Sequence, residues 1–140
     1  MNITSASSKF TITKELYSLL NSNTGLTSYV GENIYPIVAP QKDDSGNEIK
    51  ECIVYYREKY SKEYIQNNIV VNEKCHITFV IVSSSYFKSI KIVELVNEII
   101  EGVHQNESGY NYQCRLIDSD ENVIGVNNDK YIQVVTFEIK

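Results

Sequence analysis

Residues 71–103 read VNEKCHITFVIVSSSYFKSIKIVELVNEIIEGV, and the rhythm of apolar residues changes once along that stretch. Cys75, Ile77, Phe79 and Ile81 recur at every second position, the spacing of one face of an extended strand. Ser83, Ser84 and Ser85 interrupt the pattern, and beyond them Ile92, Val96, Ile99 and Val103 recur at helical spacing. A strand that passes straight into a long amphipathic helix predicts a compact α+β domain. Ser84 or Ser85 supplies the helix cap, and the helix is expected to end near Gly102.

Working outward, Ile12, Leu16, Leu19 and Leu20 form a second helical stripe, capped by Thr11 or Thr13 and stopped by the polar run 21–25. Leu26 to Val30 adds at most one short turn before Gly31. Asn33-Ile34-Tyr35-Pro36 is extended, because the residue before a proline is pushed out of the helical region. Residues 42–50 are a polar excursion with turn chemistry at Ser45-Gly46-Asn47. A strand follows from Glu51 to about Tyr60, and Asn67-Asn68 turns the chain into the long strand. After the main helix come a loop from His104 to Gly109, a strand through Tyr110, Tyr112, Cys114 and Leu116, an acidic Asn-rich connection over 118–130, and a closing strand, Tyr131 to Ile139. The expected architecture is one α+β domain, a mainly antiparallel β-sheet packed against two α-helices over 11–140, preceded by a flexible arm at 1–10.

Composition narrows the chemistry. The 140 residues suit a single domain, and 42% hydrophobic residues suffice for one core. The net charge is -5, and Arg57 and Arg115 are the only arginines, which disfavours tight binding to a phosphate backbone. Neither a signal peptide nor an apolar run of membrane-spanning length is visible, so synthesis in a cytoplasm is expected. Cys52, Cys75 and Cys114 are odd in number, lie in strand-like runs, and read as small buried hydrophobes in a reducing compartment.

Four constellations suggest chemistry, and each has a plainer alternative. Asp118-Ser119-Asp120-Glu121-Asn122 begins like a calcium loop, but Val123 stands where the sixth-place glycine belongs and Asp129 where the twelfth-place glutamate belongs. It reads as an acidic turn, and no metal or cofactor is expected. Cys75 and His76 are strand neighbours and point to opposite faces, so they cannot form a nucleophile–base pair. His104, just past a helix end, suits the helix dipole, and its pairing in space with Cys52 or Cys114 has no local motif behind it. Tyr56, Tyr60 and Tyr64 share one face of an extended strand, and with neighbouring charges that cancel they favour packing or a subunit contact over base stacking.

The order of elements resembles the bacteriophage tail completion proteins, also called tail terminator or head–tail joining proteins. The resemblance runs from about Leu16 to Ile139 through Leu16-Tyr17-Ser18-Leu19-Leu20, Val30-Gly31-Glu32-Asn33-Ile34-Tyr35-Pro36, Ile53-Val54-Tyr55-Tyr56, the strand-to-helix unit and the closing strand. It implies a structural, non-enzymatic virion protein, synthesised in the bacterial host cytoplasm and located at the head-proximal end of the tail. Its partners would be itself in a ring, typically hexameric, the tail tube protein, and the head connector or head-completion protein. DNA would pass through that ring without specific binding. Lys42, Asp43, Asp44, Asn47, Glu48, Tyr60 and Tyr64 are the expected docking or oligomer contacts. The rival expectations are another head-completion or tail-tube subunit, a small cysteine hydrolase, and a monomeric ligand-binding module.

Overall fold

The computed structural model describes residues 11–125 and 127–140, with the side chains at 68–72 left aside; the expected arm at 1–10 lies outside the described residues. Three helices occur there, α1 (Ile12–Asn21), α2 (Thr24–Val30) and α3 (Tyr86–Ile100). The six strands are β1 (Ile34–Pro36), β2 (Cys52–Ile65), β3 (Ile69–Ser83), β4 (Gly102–Gln105), β5 (Asn111–Ile124) and β6 (Lys130–Ile139). They form one curled sheet in the order β1-β2-β3-β6-β5-β4.

The sheet is mainly antiparallel, as expected, but not purely so. β1 runs parallel to β2 while the other four pairings are antiparallel. The long connection 37–51 permits this, since a parallel neighbour cannot be reached by a tight hairpin. A third helix is also present. The polar run that stops α1 starts α2 at once, because Asn23 Oδ1 accepts the Leu26 N–H at 2.9 Å and caps it.

The alternating stretch behaves as expected. Cys75, Ile77, Phe79 and Ile81 are all buried on the core face of β3, beside Val135, Phe137 and Ile139 of β6. α3 lies on β3 and β6, and α1 and α2 pack against α3. Ile12, Leu16, Leu20, Leu26 and Val30 complete the same cluster. Each such side chain contributes about 1.5–3 kcal/mol by leaving water.

The helical stripe needs correction at its C-terminal end. Its buried seam is Ser89, Ile92, Val96 and Ile100, and Ile99 is only partly buried. The helix stops at Ile100, Glu101 is already extended, and Gly102 at φ 123° turns the chain into β4. Val103 therefore sits on an edge strand, 66% exposed.

The serines at the N-terminus of α3 form a hydrogen-bonded junction. Ser85 caps the helix by accepting the Lys88 N–H, and the Ser83 and Ser84 hydroxyls and the Ser84 N–H donate to Glu51 at the start of β2. Burial works to raise the Glu51 pKa, but these donors and Lys88, 3.7 Å away, bring it below its ordinary value.

Candidate assembly surfaces

The sheet has two faces and two interrupted edges, and the residues with the most chemistry to offer lie on them. Helices cover the core face. On the outer face Val54, Val80, Val82, Ile132 and Val134 form a half-buried apolar patch. Cys52, opposite Val82 at one end of that face, is buried outside the main core cluster.

The connection 37–51 is held in shape by its own polar groups. Lys42 bridges Glu48 in antiparallel fashion, and Asp43 Oδ1 accepts the N–H groups of Ser45 and Asn47, each at 2.9 Å. Gly46 takes φ 81°, which its missing Cβ allows. Glu48 then reaches Lys130 of β6 at 3.5 Å. The expected docking residues Lys42, Asp43, Asp44, Asn47 and Glu48 are thus gathered on one small turn whose side chains lie mainly toward solvent.

Tyr60 and Tyr64 fare differently, and the expectation that Tyr56, Tyr60 and Tyr64 share a face fails. A bulge between Arg57 and Lys59 shifts the register, so Tyr56 stands opposite Thr78 on the outer face and Tyr60 opposite Cys75 on the core face. Tyr60 packs against the core and its hydroxyl donates to Glu73. Burial first, and Glu73 second, push its pKa well above the ordinary tyrosine range. Tyr64 and Ile65 remain more than half exposed on a two-stranded ribbon, for β3 pairs with β6 only from Cys75 onward. Such a ribbon is marginal by itself in water.

The acidic stretch 118–130, expected as a connection, is for the most part strand. β5 continues to Ile124 beside β6, which begins at Lys130. The reason is the partner: β6 offers Gln133, Val134 and Val135 across from Glu121, Asp120 and Ser119, and this pairing overrides the weak strand propensity of Asp and Asn. Asp118 and Asp120 face outward and Glu121 faces the core side, where it accepts from Tyr86 Oη and from Gln133 Nε2 at 3.0 Å. Tyr86 and Tyr131 meet edge to face at 5.7 Å beside Val123, and Phe87 is 79% exposed next to them. Similarly, the expected loop after α3 begins as β4, paired with β5.

Glu138 gathers three nitrogen groups on the outer face. His76 Nε2 lies 3.3 Å away, Arg115 Nη2 3.4 Å and Lys140 Nζ 3.5 Å. Burial opposes its ionisation, yet His76, Lys140 and Arg115 outweigh that and hold the carboxyl below its usual value. A carboxyl with a depressed folded pKa stabilises the fold fully above its unfolded value near 4.5, and that contribution is lost as pH falls through the folded one. Glu138→Gln is therefore expected to lower stability at pH 7 and to converge with the parent only once the pH has fallen through the depressed folded value; urea titrations from pH 7 into the acid range measure it.

The three cysteines are buried, and none is in a disulfide among the described residues. Cys75 faces the core while His76 faces Glu138, so the two point apart as strand geometry requires. His104 Nε2 donates to the Ile100 carbonyl at 2.7 Å and closes the C-terminal end of α3. Among the described residues no three His, Cys, Asp or Glu side chains gather where they could hold a metal ion, and no helix is long and apolar enough to cross a membrane.

What the described surface presents is unpaired strand edge, exposed aromatics and clustered charge on an α+β domain with its helices on one face. No known family model matches the sequence, and no curated protein matches it. The fold has a counterpart among solved structures, a chain from the virion of a native gene transfer agent (GTA) particle. The two agree with a TM-score of 0.67 over 89% of each chain at 9% identity, a likeness of fold.

Proposed function

We propose that this chain is a structural subunit of a phage-type virion, a ring-forming tail completion protein that caps the tail tube and joins it to the head connector. The observation that carries the proposal is the fold shared along 89% of both chains with a component of a gene transfer agent virion. The resemblance over Leu16 to Ile139 supports the narrower role. So does the sheet, whose two sides both end in incompletely paired strands and so offer two different surfaces for a head-to-tail contact. In this reading the protein is not an enzyme. It works by shape at the head-proximal end of the tail, and its net charge of -5 lets DNA pass through the ring without adhering.

Negative-stain microscopy of the purified protein, alone and with tail tubes, tests the reading. Rings, or caps that stop tube growth, are expected; a monomer that ignores tubes would overturn it. The fold likeness fits a head-completion or tail-tube subunit as well. Gene order separates these, since a terminator gene lies between the head-completion and tail-tube genes.

The 42–48 turn is the proposed docking element. Lys42 and Glu48 already lie side by side, so removing Asp43 to Asn47 shortens the connection without pulling on β1 or β2. The deletion is expected to leave the melting temperature within a few degrees of the parent while weakening assembly or tube capping. Unchanged assembly and infectivity would remove the turn from the interface.

A further inference from the structure

Among the described residues, two stretches of strand have a paired strand on one side only. β1 covers β2 only at Ile53 to Tyr55, and β4 covers β5 only at Asn111 to Cys114. Within the described chain no backbone hydrogen bond outside the β2–β3 and β5–β6 ladders reaches residues 56–65 or 115–124. Open edges of this length are templates for another strand. Bulges follow Arg57 and Leu116; beyond them 118–124 of β5 keeps its register with β6, while the β2–β3 pairing shifts once more between Glu63 and Tyr64.

The edges lie on opposite sides of the sheet and run in opposite directions, since β2, β3, β6 and β5 are joined by three antiparallel pairings. When a second copy is placed beside the first with its helices on the same side, its β2 meets β5 antiparallel, the more stable sense. The charges also differ in sign. Over 56–65, Arg57, Lys59 and Lys62 outnumber Glu58 and Glu63; over 115–124, Asp118, Asp120 and Glu121 outnumber Arg115. Faces match as well. Lys59, opposite His76, is on the outer face with Asp118 and Asp120, while Lys62, opposite Glu73, shares the core side with Glu121. Lys59, Lys62, Asp118 and Asp120 form no ion pair among the described residues.

We propose that copies of this chain join edge to edge, residues 59–65 of one adding as an antiparallel strand to residues 118–124 of the next. Within one copy Tyr56 is level with Asp118 and Tyr60 with Cys114, through Thr78, Thr136, Cys75 and Ile139. The neighbour therefore slides along the strand direction to bring the two segments into register, and the strands run tilted to the assembly axis, as in closed barrels. The contact is heterologous, so it closes into a ring or grows into a filament. It also gives the Tyr64 ribbon a further strand beside β2.

This proposal rests on the reading of the protein as a self-assembling subunit but not on what the assembly caps. Sedimentation equilibrium on the full chain tests it, using Lys59→Glu with Lys62→Glu, and separately Asp118→Lys with Asp120→Lys, all at exposed positions. Each pair is expected to weaken self-association at least tenfold without altering the circular dichroism spectrum, and an equimolar mixture of the two variants is expected to recover it. Hydrogen exchange should show amides within 59–65 and 118–124 gaining protection on association. A parent that stays monomeric at high concentration, or association indifferent to both swaps, would overturn the proposal. Association that follows the swaps without tube capping keeps this contact and removes the proposed role; capping indifferent to the swaps does the reverse.

Discussion

Phe79→Ala is expected to destabilise the domain by about 3–5 kcal/mol, a large share of the roughly 5–15 kcal/mol that holds a typical domain together. Phe79 is fully buried at the centre of the sheet. Its ring meets Phe137 edge-on at 5.8 Å and Tyr55 at 6.5 Å, and Tyr55 in turn meets Tyr17 of α1 at 5.9 Å. The row thus ties β6, β3 and β2 to the first helix, and removing its middle member leaves a cavity bounded by rigid strands that cannot close in. The melting temperature should fall by roughly 10 °C. Phe79→Leu, which keeps most of the volume, should recover more than half of the loss. A loss below about 1 kcal/mol in urea unfolding would mean that the centre of the sheet is not packed as described.

The second large effect is expected at Gly102, for a different reason. At φ 123° this residue occupies backbone space that only glycine enters freely, and a Cβ built there meets nothing within 4 Å. Gly102→Val should therefore cost about 1–3 kcal/mol through backbone conformation alone. No repacking of neighbours can relieve it. The damage should centre on the passage from α3 into β4, with faster hydrogen exchange in Val103 to Gln105 and little change in β3. Glu101→Ala, one residue earlier and in an ordinary extended conformation, is the control and should be nearly neutral.

Much of this fold was readable from period alone, and the failures have physical causes. The alternation Cys75, Ile77, Phe79, Ile81 and the stripe Ile12, Leu16, Leu20 are long and regular, so burial follows directly. Val103 continues the helical count of Ile92, Val96 and Ile99, yet the helix ends before it; an apolar side chain at the right spacing cannot reveal a glycine taking φ 123°. Asp118 to Ile124 has the composition of a loop and becomes strand because β6 lies alongside, a fact about tertiary pairing and not about local propensity. The tyrosines at 56, 60 and 64 keep a constant spacing, and a single inserted residue at the bulge sends the first to the other face. The 42–48 turn was recognisable from its Asp, Ser, Gly and Asn content. The open edges were not, because an edge is defined by the strand that is missing beside it.

The position of β6 bears on how the molecule reaches its folded state. This last strand lies between β3 and β5, and its pairing of Ile139 with Cys75 joins residues far apart in sequence. While the ribosome has not yet delivered residues 130–139, β3 and β5 have no strand to connect them and the Phe79 row lacks its Phe137 end. Formation of the sheet must then wait for residues 130–139 to be made, in the millisecond-to-second regime of proteins dominated by distant pairings. Until that moment the apolar flank of β3 is open to any passing strand, so nascent chains are the form most vulnerable to aggregation and most in need of a chaperone.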